Sequence, residues 1–83
     1  MIEFTHVISD PEGLHARPVA RICSAALPWS CEIAISCDGV SANAADPIEL
    51  MGLMARRGDE LTVMVDGADE LACAEAMRAV FDF

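Results

Sequence analysis

With 83 residues, the chain is long enough for one domain with one modest core and too short for a deep, enclosed active site. The formal charge is −9, from 14 acidic residues against five arginines and no lysine, which argues against nucleic acid and anionic membrane surfaces as partners. Hydrophobic residues make up 54%, too many for a disordered chain, yet no apolar run approaches the roughly 18 residues of a membrane span.

The first residues, MIEFTHVISD, lack a basic stretch followed by an apolar block, so they do not read as a secretion signal. Residues 2 to 8 alternate, with Ile2, Phe4, His6 and Ile8 on one face, the period of a strand. His6 has no charged neighbour on that face and reads as a structural histidine. Ser9 to Gly13 is a loop punctuated by Pro11 and Gly13. Over residues 16 to 27, Val19, Ile22, Cys23, Ala26 and Leu27 follow the three-and-four spacing of one buried helical stripe. Pro28 ends that helix, and Trp29 is expected to pack at the domain edge.

Alternation returns over residues 31 to 37, with Cys31, Ile33, Ile35 and Cys37 inward. Asp38-Gly39 then supplies the positive φ angles of a type I′ hairpin turn, and a return strand covers about residues 40 to 44. At Asp46-Pro47-Ile48-Glu49 a helix starts. Asp46 can cap it, Pro47 suits its first position, and Glu49 completes a capping-box-like pattern. The spacing predicts this helix over about 47 to 55. A strand follows over 60 to 66 with Leu61, Val63 and Val65 inward. The last helix covers about 69 to 82, with Cys73, Met77, Val80 and Phe81 facing the core. The order β-α-β-β-α-β-α predicts an α+β fold, one sheet with helices packed on one face. There is no repeat or linker, and residues 1–83 form one domain.

The segment that carries chemistry is Gly13-Leu14-His15-Ala16-Arg17-Pro18. His15 stands where the loop meets the first helix. A helix N-terminus leaves backbone N–H groups unpaired and is the positive end of the peptide dipoles, so it attracts anions. Arg17 can add charge-assisted bonds to phosphate oxygens. Pro18 fits the first turn, where its missing N–H has no intrahelical role, and Gly13 gives the loop freedom to turn the imidazole outward. Neutral imidazole is a competent nucleophile. Together these residues make His15 a solvent-facing phosphoryl acceptor; a histidine that only caps the helix is the plainer alternative. Arg21, close to His15 in the chain, and the adjacent Arg56 and Arg57 are further anion-facing candidates.

Cys23, Cys31, Cys37 and Cys73 show no C-x-x-C spacing and no zinc-finger histidine. They read as free, mostly buried thiols that behave as small hydrophobes. Neither a metal nor an organic cofactor is expected. A metal-binding module built on these cysteines is the competing reading from another functional class, and the spacing argues against it.

GLHARP at 13 to 18 resembles the signature of the HPr family, the histidine-containing phosphocarriers of the bacterial phosphoenolpyruvate:sugar phosphotransferase system. Asp38-Gly39, Ala42-Asn43, LMGLM at 50 to 54, Gly58 and Gly67-Ala68-Asp69-Glu70 fall in the family's register without a gap. The resemblance implies an open-faced β-sandwich, a four-stranded antiparallel sheet covered by three helices. It implies a carrier, not a turnover enzyme by itself, that takes a phosphoryl group from Enzyme I on Nδ1 of His15. The carrier then passes the group to a IIA domain of a sugar permease, with Arg17 contacting the phosphate. It also implies a cytoplasmic setting, and a monomer suits such a shuttle. A regulatory phosphorelay, of the nitrogen type or acting on a dihydroxyacetone kinase, would use the same His15 chemistry.

By position, Pro47, Ile48 and Met51 correspond to the family's apolar docking patch, although a short helix could equally bury them. The family's regulatory serine is replaced by Asp46, which has no hydroxyl to phosphorylate. Asp46 either serves simply as a helix cap or partly imitates the phosphoserine with one permanent charge, against roughly 1.5 to 2 for a phosphate. Ser24, Leu27 and Glu49 stand where many relatives carry lysine, which weakens electrostatic steering toward an acidic partner.

Overall fold

The computed structural model describes residues 1–83. Its elements are β1 (Ile2–Val7), α1 (Ala16–Ala26), β2 (Glu32–Cys37), β3 (Val40–Asn43), α2 (Pro47–Gly52), β4 (Glu60–Asp66) and α3 (Glu70–Arg78), the predicted order. The strands pair antiparallel throughout, in the order β1-β4-β2-β3.

The register follows from the alternation. Phe4 lies opposite Val63, which lies opposite Ile35, and Ile2, Val65 and Ile33 form the row beside them. This face of the sheet meets the helices. The next residues along each strand put Thr5, Thr62, Ser36 and Ser41 in one row across all four strands on the open face. A slip of one residue would exchange the two sets, burying hydroxyls and exposing the core, so the register is strongly specified. Asp38 (φ 51°) and Gly39 (φ 81°) make the predicted tight turn between β2 and β3.

Between sheet and helices lie Ile8, Ile22, Ile35, Leu50, Leu61 and Met77, all fully enclosed. Each contributes about 1.5–3 kcal/mol by leaving water. No polar or charged residue is buried, so the whole charge of −9 is carried at the surface. Cys23, Cys37 and Cys73 are buried and Cys31 half-buried, and all four thiols are free. Burial pushes the Cys23 and Cys37 thiols up, and the Cys73 thiol up to about 11.

Two helices are shorter than their periodicity predicts. α2 stops at Gly52, and tight turns follow, with the N–H groups of Leu53 and Met54 donating to the carbonyls of Leu50 and Met51. Glycine weakens the last turn, and Met54 adopts a left-handed φ of 53°. Ala55 is buried because the chain there docks on the β1–α1 loop, not because the helix continues. α3 stops at Arg78. Phe81 leaves the helical path and packs edge-on against Phe4, with ring centres 5.6 Å apart. Phe83 packs beside His6 at 4.9 Å. Apolar spacing cannot separate one more helical turn from a tail that folds back over the same sheet.

His6 is structural, as read. Its Nε2 lies 2.6 Å from the Phe83 carbonyl oxygen. The capping box at α2 is only half formed. Asp46 accepts from the N–H groups of Ile48 and Glu49 at 3.0 and 3.2 Å. The Glu49 carboxylate instead accepts from the N–H of Asn43, because the Asp46 N–H already donates to the Asn43 carbonyl.

Candidate functional site

Two irregular segments build the site. The loop from Ile8 to His15 is hydrogen-bonded along the loop that leads into β4. The Ile8 N–H donates to the Asp59 carbonyl at 3.0 Å, Gly58 N–H to the Ile8 carbonyl at 2.8 Å, and Leu14 N–H to the Ala55 carbonyl at 3.0 Å. Leu14 is buried and anchors the loop in the core. Gly13 has a left-handed φ of 69°. A Cβ there would lie 2.6 Å from the Ala55 oxygen and 2.9 Å from the Arg56 Cα. The sequence suggested that Gly13 frees the loop. Its role is the opposite, because the missing side chain lets two backbones touch and holds the loop still.

His15 is the N-cap residue of α1, with extended backbone and no side-chain capping bond. Its carbonyl accepts the Val19 N–H at 3.0 Å. The imidazole therefore does not serve the helix, and the plain capping alternative fails. The N–H groups of Ala16 and Arg17 have no acceptor in the protein, and Pro18 has no N–H to offer. The first turn thus presents two free donors at the positive end of an 11-residue helix.

The His15 side chain is not open to solvent on all sides. It is 27% exposed, and Nε2 lies 3.1 Å from Oδ2 of Asp10. Nδ1 lies 3.7 Å from Oε2 of the exposed Glu12. The Asp10 carboxyl is held below its ordinary value, first by the Glu12 N–H that donates to Oδ1 at 2.8 Å and then by the bond to His15. Nearby positive charge, Arg17 included, acts in the same direction. The sequence marks neither Asp10 nor Glu12, since SDPEG reads as loop punctuation. The signal in the sequence is an aspartate heading a loop punctuated by Pro11 and Gly13, a residue whose side chain accepts the N–H two residues on in an Asx-turn.

Of the arginines near the site, Arg17 is exposed and has no ion pair or hydrogen bond to a protein acceptor. Arg21, an anion-facing candidate by sequence, is already engaged. Its guanidinium forms two bonds to Asp82, the shorter 2.6 Å. Arg56 and Arg57 are exposed on the segment that docks against Gly13, so the fold brings them to the His15 loop. Pro47, Ile48 and Met51 are also exposed, Ile48 by 82%, whereas Leu50 is fully buried. The short helix therefore buries one residue and shows these three, which excludes them as core positions and leaves an apolar surface of the kind used in docking.

One group of potential metal ligands has suitable spacing, Cys37, Asp38 and Asp59. It contains no histidine, and its thiol is buried and pushed up by desolvation, then by Asp38 and Asp59. It offers only three ligand groups, two of them carboxylates, and a metal bound there would have to displace the proton of a buried thiol. The chemistry available at His15 is different. A ring nitrogen, two amides without acceptors and an unpaired guanidinium belong to three successive residues at a helix N-terminus, the end of a helix that stabilises an anion.

The family model described as "PTS HPr component phosphorylation site" matches residues 2–82. A phosphocarrier protein HPr of Mycoplasma genitalium is 37% identical over 83 residues, covering 99% of this chain and 94% of that protein. Among solved structures, a mycoplasma histidine-containing phosphocarrier superposes with a TM-score of 0.92 at 28% identity, covering 95% of this chain and 90% of that one. HPr from Thermoanaerobacter tengcongensis gives 0.90 at 29% identity, covering 99% and 92%.

Proposed function

The chain belongs to the HPr family of phosphocarriers of the phosphotransferase system, and we propose that it works by carrying a phosphoryl group on Nδ1 of His15. The group comes from Enzyme I, and ultimately from phosphoenolpyruvate, and passes to the IIA domain of a sugar permease. The observation that carries this reading is the placement of His15. The ring sits at the start of α1 without capping it, beside two N–H groups that have no acceptor. Such donors stabilise the charge on a phosphoryl group without a metal. Arg17, unpaired and in the first turn, supplies the charge-assisted contacts to its oxygens.

Partner recognition falls to the exposed Pro47, Ile48 and Met51, an apolar patch within an acidic surface. One accessible site, most simply on a monomer, suits a protein that must meet two partners in turn. The start of α2 holds Asp46 where a hydroxyl would permit a second phosphorylation, so His15 is the single carrier position. The cap bonds to Ile48 and Glu49 account for Asp46 as a structural residue.

The test is incubation with phosphoenolpyruvate and a cognate Enzyme I, followed by mass spectrometry. The expected product carries one acid-labile phosphoryl group, and His15→Ala carries none. A His15→Ala protein that is still labelled would overturn the site.

A further inference from the structure

The geometry points to Asp10 as a positioning residue that fixes which nitrogen of His15 bears the proton. This rests on His15 being the phosphoryl acceptor and adds what prepares it. The two oxygens of Asp10 are divided between two donors. Oδ1 accepts the Glu12 N–H at 2.8 Å, and Oδ2 faces Nε2 of His15 at 3.1 Å. The Asp10 carbonyl also accepts the Gly13 N–H at 2.9 Å. The carboxylate is thus tied to its own loop on one side and directed at the imidazole on the other.

An ionised carboxylate accepts hydrogen bonds and cannot donate them. Facing Asp10, Nε2 must therefore carry the hydrogen, which leaves the lone pair of a neutral ring on Nδ1. The tautomer of a histidine is set by the bond that its other nitrogen makes. Glu12 is exposed, and its carboxylate lies 3.7 Å from Nδ1, beyond hydrogen-bonding distance. It does not compete with Asp10 for the proton and is free to turn aside when a phosphoryl group arrives.

In the transfer, the Nδ1 lone pair forms the new N–P bond. The bond from phosphorus to the donor's leaving atom breaks, and its electron pair stays with the donor. The Nε2 proton does not move. The phosphorylated ring therefore gains a positive charge, which lies against Asp10, and on transfer to an acceptor the electron pair returns to Nδ1. Asp10 touches no reacting atom and acts only through the ring.

The substitution Asp10→Asn tests this sharply. With its amide oxygen still accepting the Glu12 N–H, the amide NH2 would face Nε2. A donor there demands an acceptor, so the proton moves to Nδ1 and the nucleophilic lone pair is lost from it. Nitrogen-15 NMR of the unphosphorylated protein, labelled at the His15 ring and held well above the ordinary imidazole value of about 6.5, reads this directly. The native protein should show Nε2 protonated and Nδ1 bare, and Asp10→Asn should reverse the assignment.

Phosphoryl acceptance from Enzyme I should slow by about threefold to tenfold, the fraction of ring left in the reactive form when one hydrogen bond favours the other tautomer. Asp10→Ala, which removes the acceptor without adding a donor, should fall between the two in its NMR signature. An Asp10→Asn ring with the native nitrogen shifts would overturn the proposal, as would reversed shifts with undiminished acceptance. The NMR measurement involves no phosphorylation, so its failure is distinct from labelling of His15→Ala, which would instead remove His15 as the acceptor.

Discussion

Replacing Gly13 by alanine tests whether contact between two loops holds the proposed phosphoryl site. Gly13 has a φ of 69°, and a left-handed conformation costs an L-residue about 1–2 kcal/mol. The new Cβ would also sit 2.6 Å from the Ala55 oxygen and 2.9 Å from the Arg56 Cα. Both neighbours are backbone, so neither can rotate aside. The loops must separate, which stretches the bond from Leu14 N–H to the Ala55 carbonyl, and losing it costs a further 0.5–1.5 kcal/mol or so. The sum is about 1.5–3.5 kcal/mol. In a domain of this length that lowers the melting temperature by about 6–28 °C.

Gly39 is the matched control. Its φ is 81°, yet nothing lies within 4 Å of a Cβ placed there, so Gly39→Ala carries the backbone strain alone, about 1–2 kcal/mol. Thermal unfolding followed by far-ultraviolet circular dichroism compares the two. Equal losses in both variants would refute the claim that Gly13 is required for close approach. A displaced loop also moves Asp10 and His15 relative to α1, so Gly13→Ala should accept phosphate more slowly even where it remains folded, while Gly39→Ala should not.

Two further outcomes follow from particular bonds. Asp46→Ala removes the acceptor for the Ile48 and Glu49 N–H groups and should cost about 0.5–2 kcal/mol in urea unfolding, whereas Asp46→Ser should stay within a few tenths because serine caps as well; a serine variant as unstable as the alanine one would contradict the capping account. Asp82 is held below the ordinary carboxylate range by its bond to Arg21, so its contribution to stability is complete above the ordinary aspartate value of about 3.9 and is lost as pH falls through the lower, folded value. Urea midpoints across that acid range should therefore fall less steeply in Arg21→Ala than in the native protein, and parallel slopes would show that the pair contributes nothing.

The limits of the sequence reading lie where periodicity stops carrying information. Along β1, β2 and β4 the alternation assigns every core residue to its face, since side chains in a strand have a fixed period. Val19, Ile22, Cys23 and Ala26 are buried in α1 as their spacing predicts, whereas Leu27, assigned to the same stripe, is exposed because the helix ends at Ala26. A period says which way a side chain points within an element, but not where the element stops while apolar residues continue. Hence the spacing predicts a last helix to about residue 82, whereas Phe81 is buried from a segment that has already left the helix.

The site shows the same boundary at finer scale. His15 and Arg17 are legible because a helix start has a chemical signature of its own. Asp10 is five residues from His15, a separation that corresponds to no regular structure, and only the folded loop brings its oxygen to Nε2. Gly13 was legible as a requirement but not in its reason, because the Ala55 oxygen that excludes a side chain comes from a segment forty-two residues away in the chain. The proposed phosphoryl acceptor stands at the end of a regular element. The group proposed to orient it lies in the irregular segment beside it, where tertiary contact alone assigns its partner. Variants that separate Asp10 from His15 while leaving α1 intact therefore address a part of the mechanism that the helix start by itself does not contain.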